Sequence, residues 1–227
     1  MAVFIMTKEI TGLKPNKNNK NRIDVYIDGK FNFGVSQAVA SQLNVGQFIG
    51  GEEIAQFQNA ELRERAWQSA MRLFNFRNRS EYEIRSRLAK KGFNHRIIDQ
   101  VIIELKARSI LNDAQFAQQW VESRAVNKPR GRKLFALELK SKSVKQEDID
   151  QAFQGLPDEE TLALNAGRRI LRRYVNFNKQ TFMKKMYEYL YRKGFTYHTI
   201  RSIEEVLWCE IHDVTNDLNG RRGDYGY

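Results

Sequence analysis

The pattern Leu-x-x-Lys-(Gly/Ser)-(Phe/Val)-x4-Ile occurs three times in this chain, each copy 51 positions after the last. Leu88, Lys91, Gly92, Phe93 and Ile98 are followed by Leu139, Lys142, Ser143, Val144 and Ile149. Leu190, Lys193, Gly194, Phe195 and Ile200 form the third copy, and the register extends to Val101, Ala152 and Ile203 and to Leu105, Leu156 and Leu207. A fixed offset over so many apolar positions predicts one supersecondary unit used three times, with neighbouring copies burying each other's faces. Such repeat stacks offer long surfaces to other macromolecules, whereas a pocket for a small molecule is less expected of them.

Each copy reads as three helices. In the first, Leu62, Ala66, Ala70, Leu73 and Phe74 share one helical face. Ser80 and Glu83 have capping-box spacing, and the helix they open carries Ile84 and Leu88 one turn apart. Lys90 and Lys91 suit the negative end of that helix, and Gly92 supplies the left-handed residue that stops it. Asn94 is placed to cap a third helix through Ile98, Val101, Ile102 and Leu105. Asp113 is the expected cap of the second unit, whose Lys128-Pro129-Arg130-Gly131 loop precedes a helix over Leu134–Lys140. Ser143, standing where the other copies have glycine, predicts a more strained turn. Pro157-Asp158 opens the third unit, with Ala163, Ala166, Ile170, Leu171 and Tyr174 expected on its first helix.

Residues 1–60 follow another rule. Val3–Met6 and Arg22–Ile27 read as strands, separated by the polar Lys14–Lys20 loop, and Asp28-Gly29 turns the chain into a further strand over 30–35. Ser36 is placed to cap a short helix carrying Val39, Ala40 and Leu43. The expected architecture is therefore mainly α. It comprises a small antiparallel β-rich region (1–60), three three-helix, helix–turn–helix-like repeats (61–112, 113–157, 158–215) and a mobile tail (216–227).

With 41% hydrophobic residues the chain is ordinary for a soluble protein, and no apolar run reaches the roughly 18 residues of a membrane span. The N-terminus lacks a basic leader, so no signal peptide is read, and the single cysteine, Cys209, fits a reducing cytoplasm. The net charge of +11 is unevenly spread: residues 61–112 carry 12 basic and 6 acidic side chains and residues 161–215 carry 10 and 5, while 113–160 carry 8 and 9. Two positive segments flanking a neutral one suit a polyanion or an acidic protein surface.

Neither a nucleophile elbow nor a phosphate-cradling glycine loop is present, and His95, His198, His212 and Cys209 have no metal-ligand spacing. Glu147, Asp148 and Asp150 fall at a helix start, where negative charge is favourable for the dipole alone. No catalytic residue, metal or cofactor is therefore expected. The helix–turn–helix pattern also raises an independent, repressor-like DNA-binding protein, but the exposed third-helix positions include Asp99 and Glu104 in copy one and Glu147, Asp148 and Asp150 in copy two. The basic residues lie on the first two helices: Arg79, Arg85, Arg87, Lys90 and Lys91 in unit one, and Arg168, Arg169, Arg172, Arg173, Lys184 and Lys185 in unit three. They form the candidate contact face, with Tyr174, Phe177, Tyr187, Tyr189 and Tyr191 nearby as stacking groups or core.

The stretch Arg79-Ser80-x-x-Glu83-Ile84-Arg85-x-Arg87-Leu88-x-x-Lys91-Gly92-Phe93, followed by Ile98-x-x-Val101-x-x-x-Leu105, resembles the signature of the RecX family of RecA regulators. The likeness continues through Leu111-x-Asp113-x-x-Phe116-Ala117-x-x-Trp120-Val121-x-x-Arg124, Gly131-Arg132 and Leu137-x-Leu139, and covers residues 62 to about 215. It implies tandem three-helix repeats in a curved, elongated stack that docks on RecA nucleoprotein filaments and restrains them, in DNA repair, recombination and the SOS response. Residues 1–60 are similar to the extension of longer, Gram-positive-type members. Single- or double-stranded DNA is a second polyanion for the basic faces, no membrane partner is implied, and a monomer is expected.

Overall fold

The computed structural model describes residues 7–17 and 19–220, with side chains described as far as Ile211, and divides into two units, 1–111 and 112–227. In the first unit, β1 (Lys8–Pro15), β2 (Arg22–Ile27), β3 (Lys30–Ser36) and β4 (Phe48–Ile49) form an antiparallel sheet in the order β3-β2-β1-β4. Asp28 and Gly29 both have positive φ, +49° and +79°, the conformation a two-residue hairpin needs to match strand twist. Ile10, Val25, Ile27, Phe33 and Val35 are buried on one face. The short helix α1 (Gln37–Ala40), capped by the Ser36 hydroxyl, adds Val39 and Ala40 to that core.

Helix α2 (Gly51–Phe74) serves two cores. Its start packs Ile54, Phe57 and Ala60 on the sheet, and further on Ala66 and Ala70 join Ile84 and Leu88 of α3 (Glu81–Lys90) and Ile97, Ile98, Val101, Ile102 and Leu105 of α4 (His95–Ala107). The helix runs unbroken across the expected boundary at position 60. Glu61, 5% exposed, ties it to the sheet, accepting from Arg22 at 2.6 Å and from the Ser36 backbone N–H at 2.6 Å. A buried carboxylate is tolerated because it is both paired and hydrogen-bonded.

The second unit holds α5 (Asp113–Asn127), α6 (Arg132–Lys140), α7 (Gln146–Gln154), α8 (Glu159–Arg168), a single 3-10 turn (Leu171–Arg173), α9 (Lys179–Arg192) and α10 (Tyr197–Gly220). Its two repeats share one continuous core, from Phe116 and Val121 through Phe135, Leu139 and Ile149 to Leu162, Phe182, Leu190, Ile203 and Leu207. Nine of the helices thus fall into three equivalent triplets, as the 51-residue register predicts.

The turn between second and third helices is built identically three times. The amide of Phe93, Val144 or Phe195 donates to the carbonyl of Leu88, Leu139 or Leu190 at 3.2–3.3 Å, and the residue before it donates three positions back at 2.9 Å. This is the Schellman closure, in which the fifth and sixth residues satisfy carbonyls the helix leaves open. Gly92 and Gly194 hold φ of +85° and +84°, and Ser143 is forced to +57°, the strain expected of a residue with a Cβ. Among the apolar repeat positions only Phe93 departs from full burial; it is half-buried at the edge of its core.

Several local expectations change. Asn112, one residue before Asp113, caps α5 by accepting from the Gln115 amide at 3.0 Å. The first helix of the third unit stops at Arg168, so Ile170 and Leu171 are buried from the following turn, and Tyr174 lies beyond it. Lys14 and Pro15 belong to β1 and so precede the polar loop; the two-residue β4 lies below the length at which alternation is readable. Helix α10 continues through positions 216–220, read above as tail, and residues 221–227 and Val3–Met6 lie outside the described residues.

Candidate functional site

Of the basic residues expected on the first repeat, two are part of the fold's own ion-pair network. Arg85 bonds Glu81 at 2.6 Å and Asp99 at 2.5 Å, pinning α3 to α4, and Lys106 reaches Glu81 at 2.5 Å. Burial works against the Arg85 cation, but its bonds to Asp99 and Glu81 outweigh that and raise its pKa above the ordinary value. Arg79 is half-buried with Nη1 3.9 Å from Glu83; burial, and then the neighbouring Arg77 charge, hold its pKa below the usual guanidinium value. Arg87, Lys90 and Lys91 are exposed, and no ion pair engages them among the described residues. They are the three cations of this face left for a partner.

The third repeat divides in the same way. Arg168 makes a multidentate contact to Glu210, from Nη2 at 2.6 Å and Nε at 3.0 Å, which raises its pKa. Arg169 donates to the backbone carbonyls of Val126 and of Asn127 (2.7 Å), bracing the end of α5. Lys185 lies 3.3 Å from Glu188. Arg172, Arg173 and Lys184 are exposed without an ion pair among the described residues. Four neighbouring guanidiniums in sequence therefore become two structural and two available ones. Tyr174 packs against Phe177 and Phe182, while Tyr187 and Tyr191 stack at 5.8 Å with Tyr191 largely exposed.

Sequence reasoning missed a contribution from the middle repeat, whose near-zero net charge hides two well-placed cations. The Gly131 amide donates to the Lys193 carbonyl at 2.9 Å, which seats the Lys128–Gly131 loop on the turn ending α9. No methyl group fits on Gly131, because it would overlap the Gly194 carbonyl. Arg130 is oriented by Glu138 at 2.5 Å, a carboxylate that also accepts from Trp120 Nε1 at 3.0 Å and pairs with Arg124 at 2.9 Å. The Lys193 ammonium rests 5.3 Å from the centre of the Tyr189 ring. Burial, and then Arg130, Arg169 and Lys128, hold its pKa below the ordinary lysine value. The recurring lysine of the 51-residue register was the available signal. Its three copies have different surroundings: Lys91 is exposed, Lys142 lies 4.5 Å from the centre of the Trp120 ring, and Lys193 sits among cations.

The acidic stretch of α7 behaves as the dipole argument predicts, with Glu147 and Asp148 in the first turn and Asp150 accepting from Gln146 at 2.8 Å. No group of three metal-ligating side chains forms among the described residues. His95 and His198 are exposed, and the side chain of His212 lies outside those described. No helix among the described residues is long and apolar enough to cross a membrane.

Four family models match the chain: the Regulatory protein RecX N-terminal domain over residues 8–49 and the first, second and third RecX three-helix domains over 66–105, 112–152 and 158–203. A protein named Regulatory protein RecX from Listeria welshimeri is 27% identical over 93% of this chain and 77% of its own length. Another of that name from Bacillus pumilus is 28% identical over 84% of this chain and 74% of its own. In shape the chain is similar to a crystal structure of regulatory protein RecX, with a TM-score of 0.69 at 23% identity over 87% of this chain and 99% of that one. The RecX crystal structure from Lactobacillus salivarius gives 0.58 at 20% identity over 65% of this chain. With all four domain models in register along the observed sheet and helix triplets, the chain belongs to the RecX family.

Proposed function

We propose that this protein is a non-enzymatic, cytoplasmic regulator that binds RecA on its nucleoprotein filament and restrains it, acting as a monomer. Its functional parts are residues 1–60, 61–112, 113–157 and 158–215. The observation that carries the reading is the pair of basic faces on the first and third repeats: Arg87, Lys90 and Lys91 on the first, and Arg172, Arg173 and Lys184 on the third. Two weak patches in one chain gain from effective concentration, so neither needs high affinity alone. The names of the relatives, all called regulatory proteins, agree with the regulatory part of the reading.

A repressor-like alternative is less well supported, because the third helix of the middle repeat presents Glu147 and Asp150 to solvent. The test is co-sedimentation with RecA in the presence and absence of single-stranded DNA and ATP, with RecA's ATPase read in parallel. Retention that needs the assembled filament, with a fall in ATPase, is expected. The double substitution Arg172→Glu/Arg173→Glu should weaken both, most at low salt. It is a better probe than any change at Arg169, which braces α5. Unchanged filament binding by that variant together with an Arg87→Glu/Lys90→Glu/Lys91→Glu triple would overturn the reading.

A further inference from the structure

We propose that the loop between α5 and α6 and the turn between α9 and α10 form a binding site for a phosphate group, with Lys128, Arg173 and Lys193 supplying charge and the Tyr189 hydroxyl a neutral donor.

Three contacts bring together the segments that carry these residues from distant parts of the chain. The Gly131 amide bonded to the Lys193 carbonyl fixes the Lys128 loop against the end of α9. Arg169, bonded to Val126 and Asn127 immediately before Lys128, fixes the same loop against the end of α8, four residues ahead of Arg173. Tyr189, one helical turn before Lys193, lies beneath its ammonium. The loop is thus fastened by the Gly131 amide and by the Arg169 guanidinium, and Lys128, Arg173 and Lys193 are not among the side chains that hold it.

Its electrostatics are one-sided. The charges that bear on Lys193 are those of Arg130, Arg169 and Lys128, all positive, and the Tyr189 hydroxyl feels Arg169 and Arg173 together with the opposing phenol of Tyr174. Burial raises the Tyr189 pKa despite both arginines, so the phenol keeps its proton and stays a donor at neutral pH. Of the nearby carboxylates, Glu138 is committed to Trp120, Arg124 and Arg130, and Glu159 borders the loop at Gly131. Lys128, Arg173 and Lys193 have no ion pair, and the Tyr189 hydroxyl no hydrogen bond, among the described residues. Gathering like charges around a half-buried lysine is unfavourable until an anion arrives. Donors on separate elements, two ammoniums, a guanidinium and a phenol, match the several oxygens of one phosphate better than a planar carboxylate.

That phosphate can be a diester in a nucleic-acid strand or a free phosphate ion, and the test separates the two. The site stands independently of the filament reading, because the assay holds this protein without RecA. Binding of a short fluorescent single-stranded oligonucleotide would be followed by anisotropy over a salt series. Lys193→Gln and Arg173→Gln should each weaken it about tenfold, the loss of one charge-assisted contact, and lower the salt slope by roughly 0.7. Tyr189→Phe, which keeps the ring, should weaken it severalfold. Lys145→Gln, an exposed lysine on the middle repeat, is the control for diffuse attraction. In parallel, the Gly131 and Gly194 amide resonances would be followed with inorganic phosphate and with the oligonucleotide. Shifts with phosphate alone, lost in Lys193→Gln, make it a general phosphate site; shifts with the oligonucleotide only make it a strand site. No shift with either probe, or an equal loss for Lys145→Gln, overturns the proposal.

Discussion

The first and third repeats share the same turn sequence, Leu-x-x-Lys-Gly-Phe, and the same backbone closure, yet the two turns have different surroundings. Around Gly92 nothing lies within reach of an added methyl, Lys91 is exposed and Phe93 is half-buried. At Gly194 an added methyl would meet the Leu134 side chain at 2.5 Å, Lys193 is half-buried, and Phe195 is only 2% exposed. The difference comes from the neighbour: α6 of the middle repeat covers the third turn. A motif thus determines its own hydrogen bonds, while an adjoining repeat decides whether the same residues work as surface or as core.

The sharpest test of that contrast is truncation of the two phenylalanines. Phe195→Ala should cost about 3–5 kcal/mol, the loss for an enclosed aromatic, and Phe93→Ala only about 1–2 kcal/mol, in proportion to the area it buries. Urea unfolding midpoints would compare them, and equal losses would break the distinction. Next come the glycines. Gly194→Ala combines left-handed strain with overpacking against Leu134, about 2–4 kcal/mol together, whereas Gly92→Ala carries the strain alone, about 1 kcal/mol. A thermal melt in which both variants fall equally would show that the packing against Leu134 relaxes freely. The smallest effect has the opposite sign. Ser143→Gly should stabilise by about 0.5–1 kcal/mol, since the residue already sits at positive φ, less the entropy glycine loses on folding.

The repeat architecture was legible because it is written in a strict offset: Leu88, Ile98, Val101 and Leu105 and their copies are core in every repeat. The Ser80 and Asn94 caps were legible for the same local reason, each accepting from the amide three residues on. What escaped was decided at long range. Nothing near Glu61 announces that Arg22, 39 positions earlier, will bury it. Nothing near Arg168 or Arg169 announces Glu210 or the carbonyls of α5, so a run of arginines that reads as one face is half structural. The break after Arg168 was also hidden, because Ile170 and Leu171 keep helical spacing while the chain tightens into a 3-10 turn. Net charge per segment misled in the opposite direction, since averaging over the middle repeat concealed Lys128 and Arg130.

The continuity of α2 bears on how this chain can be dissected. Excising the sheet at position 60 would cut through the helix, remove the Glu53 carboxylate that accepts from the Gly50 amide, and strip Glu61 of both its donors. A cut at Gly50 keeps the whole helix but leaves Ile54, Phe57 and Ala60 facing water. The sheet and the first triplet are therefore best exchanged between relatives as one cassette ending near Leu111, and a chimaera joined inside α2 should express poorly unless Arg22 and Glu61 travel together.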